Sequence, residues 1–368
     1  MKIIHCADLH LDSSMQSNLS KEKAKERKGE LLKTYSDMVD YAVANGVTAI
    51  LIAGDLFDTG NVSATARNTV KDSIIAHSDI HFYLLKGNHD RDNFLTSLEE
   101  IPDNLHLFDK EWTQYSLGKN GNIKLYGLEF DKENIGDIYI PLQPAHGDYN
   151  IVMLHGQETD TGAKDKAEII NLKALRNRNI DYLALGHIHE YKESALDTRG
   201  VYCYPGCLES RGFDETGRHG FVVLDIDEET LQCSRTLIES GCRQNVVLSV
   251  DVSGCMSTVQ ALDVIDRKLD ETTVNCRNLL KIELVGNVDI EAEIDAEYIA
   301  KKYEDDFFFV KVKDKTGTHV DYADYRFDAS LKGEFVRTVM EDEALSEEDK
   351  ANIIRIGIRA LAGEEVTL

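Results

Sequence analysis

The first half of the sequence alternates short apolar runs with longer segments of helical periodicity. The apolar runs have the length of buried strands and cover residues 2–7, 48–53 and 81–86. The periodic segments between them predict one helix that ends at Gly46 and a second helix over residues 63–76. Strand–helix–strand order of this kind predicts parallel strands joined by right-handed crossovers.

Further apolar runs continue the pattern as far as residue 240. They predict strands at residues 123–130, 150–154, 182–185, 201–204 and 220–225. Several of these runs are joined by short connections, so part of this region is expected to be antiparallel. Residues 1–240 are therefore expected to form one α/β domain, either two-layered or built as a sandwich.

The remaining sequence has a different organisation. Residues 241–315 follow a β-α-β-α-β order, which predicts a small α/β domain of their own. Residues 316–368 predict two closing helices, and the last begins at Ser346 with Asp349 three residues later, a pattern typical of a helix N-terminus. We expect the smaller α/β domain to cap the larger one.

Composition limits the class of protein. The chain has 368 residues, of which 42% are hydrophobic, and none of its apolar runs approaches the ~20 residues that a membrane span needs. Its N-terminus carries no pattern of a secretion signal. The seven cysteines are scattered without a C-x-x-C pair, which argues against a disulfide framework and a thiolate zinc site. We expect a cytoplasmic protein with no membrane contact.

The net charge of −25 bears on the range of partners, because an acidic surface repels nucleic acid. Any contact with DNA must then be local and assisted by metal ions or a partner subunit. The main basic cluster comprises Lys21, Lys23, Lys25, Arg27 and Lys28. It either guides a phosphate backbone toward a site or is simply a solvated start of a helix.

Five short motifs follow the predicted strands and carry candidate chemistry. They are Asp8-Leu9-His10, Gly54-Asp55-Leu56-Phe57-Asp58, Gly87-Asn88-His89-Asp90, His155-Gly156-Gln157 and Gly186-His187-Ile188-His189. The carboxyl ends of parallel strands open onto one crevice, so these residues are expected to meet. Glycines before Asp55, Asn88 and His187 allow sharp turns and a close approach of the backbone.

The candidate ligands are carboxylates, one amide and imidazoles, without sulfur. Such a set suits Mn²⁺, Fe²⁺ or Zn²⁺ and is too large for one ion. The seven residues expected to bind two ions are Asp8, His10, Asp55, Asn88, His155, His187 and His189. Two ions that share a carboxylate can hold a phosphate and activate water near neutral pH.

The order of these motifs resembles that of the calcineurin-like metallophosphoesterases. Within that family, residues 5–13 and 54–60, together with Tyr204-Pro205-Gly206 and Arg211, look like the SbcD-like DNA-repair exonucleases and the related YhaO-type phosphoesterases. The resemblance extends to about residue 225. It implies a metallophosphoesterase sandwich that hydrolyses phosphodiesters by in-line attack of a metal-bound hydroxide, with Mn²⁺ as the first candidate among the metals.

The resemblance also implies roles for individual residues. Asp8, His10, Asp55 and His189 would hold one ion, and Asp55, Asn88, His155 and His187 the other, with Asp55 bridging. His89 would stabilise or protonate the leaving oxygen, and Asp90 would orient His89. Arg211 is a candidate for contact with the substrate phosphate. Asp58 stands where some related nucleases have His, so it either supports a metal ligand or caps its loop.

Three functions remain open at this point. The first is an SbcD-like exonuclease subunit in DNA repair that works with an SbcC-like ATPase. The helices after Asn61 and Asn93 either form a homodimer interface or pack on the sheet of their own chain. The second is a phosphodiesterase or phosphatase for nucleotides or other small phosphoesters, which the acidic net charge favours. The third is a non-catalytic scaffold with the same fold, which usually loses metal ligands.

Overall fold

A computed structural model of the chain describes residues 1–15, 19–58, 62–87, 94, 98, 100–130, 138–160, 169–289, 292–319 and 325–361. The chain divides into two compact units, Met1–Gln244 and Asn245–Leu368. Sequence patterning predicts the end of the catalytic domain at residue 240. The roles expected for the units, catalytic and capping, stay predictions.

The part of the first unit that the structure describes contains two six-stranded sheets. In spatial order, the strands of the first sheet are β14 (Cys233–Glu239), β13 (Gly220–Ile226), β1 (Lys2–Cys6), β2 (Ala49–Ala53), β3 (His81–Leu85) and β4 (Leu105–Leu107). The strands from β1 to β4 are parallel, whereas β13 pairs antiparallel with both of its neighbours. The parallel part is the strand–helix–strand region that the sequence predicts.

The second sheet is also parallel at its centre. Its strands, in spatial order, are β11 (Lys192–Ala195), β12 (Val201–Tyr204), β10 (Tyr182–Gly186), β7 (Tyr149–His155), β6 (Ile123–Gly127) and β5 (Thr113–Leu117). The two edge strands, β11 and β5, pair antiparallel with their neighbours. A separate parallel pair is formed by β8 (Gln157–Thr159) and β9 (Ile169–Asn171), followed by the short helix α3 (Leu172–Leu175).

The two sheets pack face to face. Successive side chains of a strand point to opposite sides, so one strand can contribute to a core on each face of its sheet. Ile3 of β1 contributes to a core that it shares with Ile151 of the second sheet. Ile4 points the other way, into a core that includes side chains from the helices α1 (Lys21–Ala44) and α2 (Ala64–Ala76). Strands buried on both faces explain the continuous apolar runs of the sequence. The expected α/β sandwich is confirmed.

The predicted helix ends agree with the capping geometry. Helix α1 has Asn45 as its C-cap, and Gly46 follows with a φ of +67°. The hydroxyl of Ser63 accepts a hydrogen bond of 3.2 Å from the backbone N–H of Ala66, which satisfies one free donor at the start of α2. The apolar side of α2, including Val70, packs on its own sheet. Most of the stretch after Asn93 lies outside the described residues.

The second unit follows the expected β-α-β-α-β order. Its elements are β15 (Asn245–Asp251), α4 (Thr258–Asp270), β16 (Leu279–Val285), β17 (Asn287–Asp289), α5 (Ala296–Lys302), β18 (Phe309–Asp314), β19 (Gly317–His319), α6 (Leu331–Met340) and α7 (Glu347–Leu361). The strands β15, β16 and β18 form a parallel sheet, and β17 pairs with β19. At the start of α7, Asp349 N–H donates to Ser346 Oγ over 3.1 Å, as the sequence predicts. Among the described residues, none of the helices combines the length and apolarity needed to cross a bilayer.

Candidate metal centre

The described candidate ligands lie at the carboxyl ends of four central strands. Asp8 and Asp55 follow β1 and β2 of the first sheet, while His155 ends β7 and His187 follows β10 of the second sheet. Parallel strands expose their carboxyl ends on one edge, and here the edges of two packed sheets meet. The site is therefore built from both halves of the sandwich.

Among the described residues, two sets of side chains bring their ligand atoms together. The first ligand group consists of Asp8, His10 and His189, and the second consists of Asp8, Asp55 and His155. Within each group the ligand atoms lie within 4.8 Å of one another. Asp8 belongs to both groups, so the groups adjoin.

The first ligand group is tightly arranged. The Nε2 atoms of His10 and His189 are 3.2 Å apart, and His189 Nε2 is 3.9 Å from Asp8 Oδ1. The backbone N–H of His187 donates to both oxygens of Asp8, over 3.0 and 2.9 Å. These bonds fix the Asp8 carboxylate against the second sheet.

The second ligand group centres on the carboxylate of Asp55. Its Oδ2 atom lies 3.4 Å from His155 Nε2 and 3.7 Å from His10 Nε2, so it faces both groups. His155 Nδ1 is 2.9 Å from the carbonyl oxygen of Ala53, to which it donates. The ring of His187 lies 5.4 Å from the ring of His155, measured between centroids. His187 is thus beside the second group.

The backbone at the site is strained. Asp8, His10, Asp55 and His187 have φ values of 52°, 44°, 53° and 108°, in the region that only glycine adopts freely. Conformations of this kind cost about 1–3 kcal/mol each and persist where the surrounding structure enforces them. These strained positions coincide with four of the candidate ligands.

The glycines of the motifs make room for the ligands. A Cβ atom on Gly186 would lie 2.0 Å from the carbonyl oxygen of Ala53. Gly54 has a φ of +91°, and a Cβ atom there would lie 2.2 Å from His155 Nδ1. Both positions therefore require glycine for the packing of the two sheets at the site.

The donors fit divalent cations. In imidazole complexes the metal–nitrogen distance is about 2.0–2.1 Å, which puts two nitrogens on one ion about 3 Å apart. His10 and His189 present their Nε2 atoms to each other at 3.2 Å, beside the buried carboxylate of Asp8. A cation bound here would be held by two imidazole nitrogens and one carboxylate. The mixed oxygen and nitrogen donors of the second group suit the same ions.

The carboxylates also alter the basicity of the histidines. Burial opposes the charged form of His155, but the hydrogen bond to Asp55 and the charge of Asp8 outweigh it and raise the pKa to about 9. Burial likewise opposes charge on His189, whose pKa is nevertheless raised by the hydrogen bond to Glu215 and by the charge of Asp8. The site therefore attracts positive charge, as a proton or as a metal ion.

Arg211 lies at the site in ion pairs with two carboxylates. Its Nη1 atom is 3.2 Å from Asp58 Oδ1, and its Nη2 atom is 2.8 Å from Glu215 Oε1. Asp58 in turn lies 3.1 Å from His10 Nδ1, and Glu215 lies 2.7 Å from His189 Nδ1. Contact of Arg211 with a substrate phosphate stays a prediction.

Glu215 is a site residue that the sequence motifs do not reveal. It is one of 66 Asp and Glu residues and stands outside the five motifs, in the connection between β12 and β13. Its spacing of four residues from Arg211 was the only available signal. The remaining predicted site residues, Asn88, His89 and Asp90, lie outside the described residues.

Comparison with known proteins identifies the family. Residues 1–191, more than half of the chain, match the calcineurin-like phosphoesterase family. The chain belongs to that family. It is a metal-dependent phosphoesterase, and calcineurin-like phosphoesterases use two divalent ions, for which the two ligand groups are candidates.

Several relatives within the family are similar to this phosphoesterase. It is 30% identical over 61% of its length to the uncharacterized metallophosphoesterase YhaO of Bacillus subtilis. It is 23% identical over 80% of its length to the DNA double-strand break repair protein Mre11 of Sulfolobus acidocaldarius, and 32% identical over 61% to the SbcD component of the nuclease SbcCD of Escherichia coli. The alignments take in 57%, 77% and 64% of these relatives, so the chain spans less than two thirds of two of them.

Proposed function

We propose that this phosphoesterase is an SbcD-like nuclease subunit that hydrolyses phosphodiester bonds at DNA ends during repair. The observation that carries the proposal is the pair of adjoining ligand groups with Asp8 in common. Asp55 faces both groups and is proposed as the bridging carboxylate. Mn²⁺ is the proposed ion, with Fe²⁺ or Zn²⁺ as alternatives.

The protein residues have distinct tasks in this proposal. Bound divalent ions supply Lewis-acid chemistry, which polarises the phosphate and makes water acidic. His155 donates from Nδ1 to the carbonyl of Ala53, so its Nε2 atom faces Asp55 and would be available to a bound ion. His187 fixes Asp8 through its backbone N–H, and its ring, which lies beside that of His155, is proposed as a ligand of the second ion. His89 is proposed to protonate the leaving oxygen, with Asp90 orienting it.

The choice of DNA rests on the relatives, two of which are named for DNA break repair or nuclease activity. The basic cluster at residues 21–28 supports DNA as the substrate only in part. Arg27 is buried in an ion pair with Glu209, and Lys28 lies 3.7 Å from Asp12. Lys21 and Lys25 are exposed and are available to a phosphate backbone.

The second candidate function is hydrolysis of nucleotides or other small phosphoesters. The net charge of −25 and the internal pairing of Arg27 favour it, because both reduce the surface that can bind a long polyanion. For the DNA proposal, an SbcC-like ATPase subunit would supply the missing basic surface, and a homodimer is a further candidate assembly. All seven cysteines are free thiols, in keeping with the proposed cytoplasmic location.

The test compares two substrates with Mn²⁺ present, bis-p-nitrophenyl phosphate and end-labelled linear DNA. His89→Ala serves as the active-site variant, and the exposed His146→Ala serves as its matched control. Cleavage of both substrates by the wild type and the control, with loss of most turnover in His89→Ala, supports the nuclease. Cleavage of the small ester alone favours the second candidate. Absence of turnover on both substrates contradicts the assignment of the site.

A further inference from the structure

The two histidines of the first ligand group are each held from behind by a carboxylate. His189 Nδ1 lies 2.7 Å from Glu215 Oε1, and His10 Nδ1 lies 3.1 Å from Asp58 Oδ1. An ionised carboxylate only accepts hydrogen bonds, so the Nδ1 atom of His189 carries the hydrogen and donates it to Glu215. His189 therefore keeps a lone pair on Nε2, the atom that faces Nε2 of His10.

A single guanidinium connects these two carboxylates. Arg211 pairs with Asp58 through Nη1 over 3.2 Å and with Glu215 through Nη2 over 2.8 Å. Its backbone N–H donates to the second oxygen of Glu215 over 2.7 Å. Because one planar group spans both acids, the separation of the carboxylates is fixed, and with it the separation of the two imidazoles.

The segment that carries Arg211 and Glu215 is itself anchored to helix α1. Arg27 Nη2 donates to the carbonyl oxygen of Ser210 over 2.6 Å, and the hydroxyl of Ser210 donates to the carbonyl of Glu215. Arg27 and Ser210 are both buried. The carboxylate of Glu215 is consequently presented to His189 by a buried segment that is hydrogen-bonded to helix α1.

The second ligand group is oriented in a different way. His155 Nδ1 donates to the backbone carbonyl of Ala53, a partner that no side-chain substitution removes. The carboxylate of Glu215 binds His189 and Arg211, which both lie on the side of the first group. Substitution of Glu215 should therefore act on one ion and spare the other.

We propose that Glu215, tied through Arg211 to Asp58, is a positioning residue that sets the metal affinity of the first ligand group and leaves that of the second unchanged. The inference rests on the proposed two-ion site and deepens it. Groups that orient a metal-binding histidine typically change metal affinity by about 10–100-fold when they are removed. We expect a loss in that range, confined to one of two ions.

The test measures Mn²⁺ binding to the metal-stripped full-length protein by isothermal titration calorimetry, with bound Mn²⁺ counted by mass spectrometry after gel filtration. Glu215→Ala is expected to retain one ion at wild-type affinity and to bind the other about 10–100-fold more weakly. Glu215→Gln should fall between, because its amide oxygen accepts from His189 but carries no charge for Arg211. Glu239→Ala, which breaks an exposed pair with Arg218, is the matched control and should bind two ions as the wild type does.

The outcomes separate the inference from the proposed function. A wild-type protein that binds no Mn²⁺ contradicts the two-ion site itself. Two ions in the wild type, with unchanged affinities in a folded Glu215→Ala, overturn the inference and leave the site standing. If Glu215→Ala does not fold, Asp58→Asn provides the test, because Asp58 is more exposed and faces His10 of the same group. Unchanged binding in that variant also overturns the inference.

Discussion

Replacement of Arg27 by methionine should lower the free energy of unfolding of the first unit far more than replacement of a surface arginine. The Arg27 side chain is 1% exposed and its partner Glu209 is fully buried, with Nη1 2.7 Å from Oε1. Methionine keeps much of the apolar stem but leaves the Glu209 carboxylate without its cation. Breaking a buried pair from one side costs about 3–5 kcal/mol, because the remaining charge is uncompensated.

The hydrogen bonds that Glu209 keeps decide where in this range the cost falls. Thr34 Oγ1 donates to it over 2.9 Å, and the backbone N–H of Cys242 donates over 2.6 Å. These donors continue to stabilise the charge, so we expect Arg27→Met to lower the free energy of unfolding by about 3 kcal/mol. The double variant Arg27→Met/Glu209→Gln removes the uncompensated charge and should be more stable than Arg27→Met alone.

The assay is urea unfolding followed by fluorescence. The chain has one tryptophan, Trp112, which lies in the first unit, so its emission reports on that unit alone. With a urea dependence of about 2–3 kcal/mol per molar, the midpoint should fall by about 1 M or more. Arg218→Met, which breaks an exposed pair with Glu239, is the control and should cost at most about 1 kcal/mol. Equal costs for the two single variants would refute the reasoning.

Three further outcomes are expected. Gly186→Ala should destabilise the first unit by several kcal/mol in the same urea assay, because its Cβ would lie 2.0 Å from the Ala53 carbonyl oxygen. Gly147→Ala, with open space around it, is the control and should be near neutral. In the metal-stripped protein, the raised pKa of His155 should add up to about 3 kcal/mol to the free energy of unfolding. This contribution should be complete below about pH 6.5 and should be lost as the pH rises through about 9. A melting temperature that does not fall over this pH range would contradict that assignment. Mn²⁺ at a hundred times its dissociation constant should stabilise the wild type by about 2.7 kcal/mol per site, and Asp8→Asn should abolish most of this gain in a thermal melt.

Sequence patterning could predict the buried centre of the fold but not its edges. The β2 segment is continuously apolar because both of its faces are buried, and such a run can be predicted as a strand from the sequence. The β14 segment, Cys233–Glu239, is largely exposed and mixes polar with apolar residues. Its strand character comes from pairing with β13, which only the folded chain provides.

The same distinction applies to the candidate site. Asp8, Asp55 and His155 could be identified because each lies at the carboxyl end of a recognisable strand, so that sheet geometry implies their convergence. Glu215 does not stand at the end of a strand but within the long connection between β12 and β13. It reaches His189 only because the connection between β12 and β13 folds back over the site, and a long-range contact of that kind has no local signature.

The candidate ligands come from both halves of the sandwich, and this would couple ion binding to folding cooperativity. Asp8 and Asp55 belong to one sheet and His155 to the other, so the second ligand group exists only while the two sheets are docked. An ion held there would oppose fluctuations that separate the sheets, because a partly opened form would lack part of the ligand group. Amide hydrogens at the carboxyl ends of β1, β2 and β7 should therefore gain protection against exchange together when metal is added, as one opening unit.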